Sequence, residues 1–279
     1  AHNVNARTIV LSNTHDYRDN GQIVPLEEVA KYVDEMSVTV HGATAEEHDA
    51  FNGVPGSYAH VMANLKEFAR VKGDNQEISA TINVMPHTIH NMEQIMLRTA
   101  LELDGNLDYF FIQRIAPSGR AKDKAFFIQQ VEVNEVMKVF KALKDEHGFN
   151  IEFCDVFPWC AVKPEYRDML PKGGCNWGTE VCAVFADGSV KRCAMGENTL
   201  SANMAELDTP EKFQAFWETD QELQKFRKMA HLDERCRACE MLQDCGGGCT
   251  MGRKDGDPYK TEITSVGHDI LRAPNHEDR

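Results

Sequence analysis

No cysteine precedes Cys154, although the chain of 279 residues holds nine. Thiolate chemistry is thereby confined to the second half, and the chain divides into a cysteine-free part and a cysteine-rich part. Positive charge is also in deficit. Lys and Arg number 30 against 44 Asp and Glu, a formal net charge of −14. That field repels nucleic acid and anionic membrane and argues against both as partners. No apolar run reaches the ~20 residues of a membrane span, and the first thirty residues lack the apolar core of a signal peptide. The cysteines are odd in number and include a Cys-x2-Cys pair, which reads as reduced metal ligands rather than a secreted disulfide scaffold. These features place the chain in a reducing cytoplasm. Its length suits one large domain or two ordinary ones.

The cysteine-free half alternates strand-length apolar runs with helical patterns. Arg7 to Ser12, Met36 to Val40, Glu77 to Val84, Leu107 to Ile115 and Ile151 to Val156 read as strands. Between them, Pro25 to Val33 reads as a helix with Pro near its start. Thr44 with Glu47 forms a capping box for the next. Gly56-Ser57 opens a helix whose inward face is Val61, Met62, Leu65 and Phe68. A helix over 90–103 turns Met92, Ile95, Met96 and Ala100 inward, and Val133, Val136, Met137, Phe140 and Leu143 mark another. Strands alternating with helices predict an α/β fold with a parallel sheet and chemistry at the carboxyl ends of its strands. Those ends carry Ser12-Asn13-Thr14, Thr39-Val40-His41-Gly42, Asn83, Arg114 and the stretch Ala116 to Ala121. His87 and His90 read as solvated cap residues, and Glu46-Glu47-His48-Asp49 as a solvated helix face.

The second half is organised by its thiols. Cys236, Cys239, Cys245 and Cys249 follow the spacing Cys-x2-Cys-x5-Cys-x3-Cys, with Cys175 and Cys193 upstream and Gly188 five residues before Cys193. Two cysteines three positions apart can point both sulfurs at one centre from a tight turn. Gly246-Gly247-Gly248 lets the backbone fold closely there. Val181 to Arg192 alternates around Asp187-Gly188 and predicts a β-hairpin. Thr209 or Asp208 with Pro210 starts a helix bearing Phe213, Phe216 and Trp217, and a second follows near 221–230. The segment 170–208 shows little regular periodicity. From spacing alone, zinc and iron–sulfur clusters both remain open.

The pattern Cys175-x12-Gly188-x4-Cys193, then the cluster from Cys236 to Cys249, resembles a SPASM domain, the auxiliary-cluster module of radical S-adenosylmethionine (SAM) enzymes. The first half resembles the later part of a radical SAM barrel. Ser12-Asn13-Thr14 stands where that family often has Thr-Asn-Gly, and Thr39-Val40-His41-Gly42 resembles its Ser-Leu-Asp-Gly strand end. Gly53-Val54-Pro55-Gly56-Ser57 and Pro117-Ser118-Gly119-Arg120-Ala121 are also similar to it. The resemblance implies an incomplete parallel (β/α) partial barrel of the radical SAM type over 1–157. A small cysteine-rich SPASM domain with a β-hairpin follows over 158–279.

It further implies two auxiliary 4Fe-4S clusters, with SAM bound in the intact enzyme. There a reduced cluster splits SAM into methionine and a 5′-deoxyadenosyl radical, which abstracts a substrate hydrogen. The implied partners are a peptide or protein substrate and a reductant such as a flavodoxin or ferredoxin. Thr39, Asn83 and Arg114 are the implied SAM contacts. One cluster would take Cys160, Cys175, Cys193 and Cys249. The other would take Cys236, Cys239 and Cys245, with His268 or Asp269 able to complete it. Cys160 is preferred to Cys182 because it closes Phe157-Pro158-Trp159-Cys160, a stretch resembling the start of that module. Cys154 and Cys182 read as small hydrophobes, and Trp159, Trp177 and Trp217 as packing around the clusters.

The sequence departs from the family at three points. The Cys-x3-Cys-x2-Cys that holds the SAM cluster is absent, as is Gly-Gly-Glu-Pro, so the chain reads as the C-terminal part of a larger enzyme. Ala194 stands where sulfatase-maturing members carry Asp, which argues against that activity. The alternatives are a non-catalytic electron-transfer or peptide-binding module and a structural zinc protein.

Overall fold

The structure, a computed structural model, describes residues 6–14, 16–115, 130–154, 157–196 and 199–250. They fall into two compact units, one drawn from Ala1–Arg114 with Glu135–Cys154, the other from Ile115–Asn134 with Asp155–Arg279. Among the described residues, no helix is long and apolar enough to cross a membrane.

The first unit is a parallel sheet with helices between its strands. Its strands are β1 (Ile9–Leu11), β4 (Glu35–Val40), β5 (Glu77–Val84), β6 (Tyr109–Arg114) and β7 (Ile151–Phe153), and they lie in that order across the sheet. A small ribbon, β2 (Arg18–Asp19) and β3 (Gln22–Ile23), turns at Asn20-Gly21, both at positive φ as a two-residue hairpin turn demands. The helices are α1 (Leu26–Ala30), α2 (Ala45–Asn52), α3 (Ser57–Val71), α4 (Met92–Leu103) and α5 (Gln130–His147). The five strands expected from the apolar runs are all present, with β5 matching end to end. Inward positions Val61, Met62, Leu65 and Phe68 of α3 are buried, as are Met92, Ile95 and Met96 of α4.

The two faces of the sheet differ in chemistry. Alternation puts Met36, Val38, Val40, Ile78, Ala80, Ile82, Val84, Phe110 and Ile112 on one face, all buried. The opposite face carries Glu35, Ser37, Ser79 and Thr81, buried as well. A buried carboxylate is tolerated only when paired and hydrogen-bonded. Glu35 meets that condition. Arg7 Nη2 lies 2.8 Å from it, Ser79 Oγ donates to it at 2.8 Å, and the Tyr109 hydroxyl also donates. Ser37 and Thr81 hydroxyls meet at 3.3 Å.

Local capping explains how the turn from β4 to α3 is held. Thr44 caps α2 by accepting from Glu47 N–H at 3.2 Å. The Glu47 carboxylate reaches back to Ala43 N–H at 2.8 Å, one residue earlier than a capping box requires. Asp49 is not an idle charge on a solvated face. It caps α3, accepting from Gly56 N–H at 2.5 Å, Tyr58 N–H at 2.8 Å and Ser57 Oγ at 3.0 Å. Those bonds, the Tyr58 amide foremost, hold its carboxyl below the usual range.

The second unit buries Phe157, Trp159, Val162, Leu170 and Leu232 in addition to the small core of a three-stranded sheet. An antiparallel sheet in the order β10 (Thr199–Asn203), β9 (Ser189–Lys191), β8 (Ala183–Val184) packs with α6 (Pro210–Thr219) and α7 (Gln221–Arg227). The core is Val190, Leu200, Leu207, Phe216 and Leu223. Cys182, Phe213 and Trp217 pack against it, so Trp217 serves this core rather than the thiols. The expected hairpin forms, but its turn spans Phe185–Gly188, with Gly188 alone at positive φ (+79°) and Asp187 accepting from Ser189 N–H at 2.9 Å. Strand β10 was not expected, because only Leu200 and Ala202 in it are apolar.

Phe68 is fully buried in α3 and Leu101 is 73% exposed on α4. Phe68→Ala should cost about 3–5 kcal/mol, and Leu101→Ala no more than about 0.5 kcal/mol. Urea denaturation of the two variants beside the parent tests both.

Candidate functional site

The thiols of the second unit are set by two backbone crossings. Cys236 lies in α8 (Glu234–Arg237), capped by Asp233, and Cys239 closes the following turn through its N–H to Cys236 C=O at 3.0 Å. Cys245 ends α9 (Leu242–Cys245). Gly246, Gly247 and Gly248 then all adopt positive φ, at +56°, +78° and +75°. This run brings Gly246 against Gly174, where a Cβ would stand 2.4 Å from the opposing Cα. It also brings Gly248 against Pro158, where a Cβ would stand 3.0 Å from the ring. Gly173 N–H donates to Asp244 C=O at 2.9 Å beside the first crossing. Since Pro158 leads into Cys160 and Gly174 precedes Cys175, three cysteine-bearing segments gather on the triple glycine.

No disulfide joins any of the nine cysteines. Electrostatically the thiols form two groups. Burial pushes the Cys160 thiol up to about 12, helped by its neighbours Cys245 and Cys236 and then Cys239. Burial likewise raises Cys175. Cys249 and Cys193 add to that, while the Trp177 amide and the Arg192 charge oppose it. Cys182 is raised by burial alone, apart from both groups. Cys160 thus has Cys236, Cys239 and Cys245 as its thiol neighbours, whereas the resemblance implied a set with Cys175, Cys193 and Cys249. Completion of the first group by His268 or Asp269 lies outside the described residues.

The sulfurs also receive backbone donors. Trp159 N–H points to Cys245 Sγ at 3.4 Å and Met195 N–H to Cys193 Sγ at 3.4 Å. Among the described residues, no three His, Cys, Asp or Glu side chains form a group that could hold one metal ion. All-thiolate donors that also receive N–H···S bonds are of the kind an iron–sulfur cluster takes.

At the carboxyl ends of the first unit's strands, register decides which candidates meet. Thr39 pairs with Thr81, and Asn83 with Gln113. Thr39 and Asn83 thus share the polar face, and Gln113 joins them. Arg114 pairs with Val84 and belongs to the opposite face. Thr14, where the family has glycine, holds φ +54°, and its C=O accepts from His60 Nε2 at 2.9 Å and from Asn64. Residues 116–121 lie outside the described part.

A cluster of rings that sequence reasoning treated as ordinary flanks Thr39. His41 stacks on Phe51 at 4.2 Å between centroids, and Phe51 on His87 at 4.9 Å. His48 is buried, its Nδ1 accepts from His41 N–H at 3.2 Å, and its Nε2 lies 2.7 Å from Asn52 Nδ2. Burial, then the neighbouring His48 and His87, pushes His41 down to about 4. The signal available in sequence was the His41/His48 spacing across a strand end and one helical turn.

No protein-family model matches the chain. It is 25% identical over 250 residues to the AdoMet-dependent heme synthase of Methanosarcina barkeri, covering 82% of this chain and 67% of the relative. It is 24% identical over 251 residues to the PqqA peptide cyclase of Ruegeria pomeroyi, covering 88% of this chain and 62% of the relative. Among solved structures, Streptococcus suis SuiB bound to precursor peptide SuiA superposes with TM-score 0.66 at 15% identity, over 92% of this chain and 58% of SuiB. The anSMEcpe structure with bound AdoMet gives TM-score 0.61 at 16% identity, over 94% and 71%. The chain is a relative of the radical SAM enzymes. It spans 62% of the peptide cyclase and 58% of SuiB. The five-stranded parallel α/β sheet is the part of the radical SAM fold that the structure displays.

Two outcomes follow from this geometry. Gly173 and Gly174 both hold positive φ, yet only Gly174 faces a backbone within contact. Gly173→Ala should cost about 1–2 kcal/mol of strain, and Gly174→Ala distinctly more, read as the larger fall in Tm. For His41, the native state disfavours the proton that the unfolded chain accepts near 6.5. Its contribution is therefore whole above that pH and is lost as pH falls toward about 4. Denaturation at stepped pH should show an acid loss on the order of 2 kcal/mol, diminished in His41→Gln.

Proposed function

We propose that this chain is the auxiliary-cluster-bearing portion of a radical SAM enzyme that modifies a peptide or protein. The observation that carries the reading is the gathering of Cys160, Cys236, Cys239 and Cys245 into one thiol group and Cys175, Cys193 and Cys249 into another, with backbone N–H groups on their sulfurs. In this reading the second unit is a SPASM domain, residues 158–279, following a partial barrel over 1–157. The first group supplies four thiolates to one 4Fe-4S cluster, and the second supplies three to the other. When bound, such clusters supply one-electron transfer next to the substrate.

The chain's own residues do the holding. The glycine crossings fix where the thiols stand, and the amides of Trp159 and Met195 stabilise thiolate charge on Cys245 and Cys193. Thr39 and Asn83, sharing the polar face with Gln113, would offer hydroxyl and amide groups to SAM. Arg114, assigned to SAM by resemblance, would have to reach it from the other face. A peptide substrate is supported by the peptide cyclase and by the SuiB structure with its precursor peptide. The reductant would be a flavodoxin or ferredoxin and the compartment a reducing cytoplasm. A second reading, tetrapyrrole modification, is favoured by the three relatives named AdoMet-dependent heme synthase.

Anaerobic reconstitution with iron and sulfide tests the cluster reading. The expected content is about eight of each per chain with brown absorption, and Cys160→Ser should lose about half of it. Stoichiometric zinc without a chromophore would establish the structural-zinc alternative instead. Titration of the loaded protein with a precursor peptide or an iron porphyrin separates the two substrate classes.

A further inference from the structure

Arg192 joins the three segments that bear the second thiol group. It precedes Cys193 in sequence. Its Nη1 donates to Trp177 C=O at 3.1 Å, two residues after Cys175, and its Nη2 donates to Thr250 Oγ1 at 2.9 Å, one residue after Cys249. The guanidinium lies 4.0 Å over the centroid of Phe226. Its stem runs through the space beside Gly178, where a Cβ would stand 2.5 Å from Arg192 Cγ and 2.8 Å from Cδ. Glycine at 178 is therefore what lets the arginine lie down along this path.

The partners of this cation are all neutral. Among the described residues its hydrogen bonds go to a carbonyl and a hydroxyl, and no carboxylate there pairs with it. An arginine held by carboxylates presents little net charge to its surroundings. One held by a carbonyl, a hydroxyl and an aromatic face keeps its full field, and here that field falls on the Cys175 thiol while the side chain bridges the segments of Cys175, Cys193 and Cys249.

We propose that Arg192 is a positioning residue that raises the reduction potential of the cluster held by Cys175, Cys193 and Cys249, an inference resting on the cluster reading above. Reduction adds negative charge to an already anionic thiolate-ligated centre. A fixed cation stabilises the reduced form more than the oxidised one and so shifts the couple upward. The fork geometry holds the charge at a fixed place, which a flexible ammonium does less well.

The test is a redox titration, followed by electron paramagnetic resonance, of the full chain reconstituted anaerobically, with Arg192→Met and Arg192→Lys beside the parent. Arg192→Met should keep the parent's iron content. At a fixed potential one centre should shift about tenfold toward its oxidised form, about 59 mV in midpoint, while the other stays unmoved. Arg192→Lys should lie nearer the parent. If Arg192→Met loses iron, retention of iron at the parental potential by Arg192→Lys still supports the charge. A loaded Met variant with both midpoints unmoved overturns the proposal, as does loss of iron from both variants. A parent that takes up no iron sinks the cluster reading itself.

Discussion

Backbone meeting backbone at Gly174 and Gly246 is the contact on which the second unit depends. Neither residue has a Cβ, and neither could have one, because each would place it within 2.7 Å of the other's Cα. With side chains excluded, the segment entering Cys175 and the segment leaving Cys245 lie as close as two chains can. The chain that carries the thiols is largely irregular, with short helices and turns between them. Crossings of this kind are how such a unit gains definition.

The first unit solves a different problem. A parallel sheet hidden on both faces is ordinarily apolar on both. Here one face carries Glu35, Ser37, Ser79 and Thr81, satisfied among themselves and by Arg7 and Tyr109. Polar character thus runs from the base of the strands up to Thr39, Asn83 and Gln113 at their carboxyl ends. On β4 and β5 the hydroxyl and amide groups there top a polar column, with Phe111 beside it on the same face.

Much of this was legible in the residues. The strand runs were long enough to stand out, and Glu77 to Val84 could be bounded to the residue. Helices α3 and α6 announced themselves by spacing and by Thr209-Pro210. What failed were relations across distance. Asp49 caps α3 from seven to nine residues away, beyond any local motif. Which thiols stand beside Cys160 depends on close approaches such as Gly246 on Gly174 and Gly248 on Pro158, which spacing does not encode. One miss was avoidable, because Asn20-Gly21 is a strong hairpin signal. Counting by twos from Phe110 through Ile112 likewise puts Arg114 on the apolar face.

The end of β4 is tied down before any ligand reaches it. A Cβ on Gly42 would stand 2.4 Å from Glu47 Cβ, and the amide of His41 is bonded to the ring of buried His48. The chain beyond Thr39 has already surrendered its freedom of movement in forming α2. A molecule docking there need not freeze a loop on arrival, and its affinity escapes that entropic penalty.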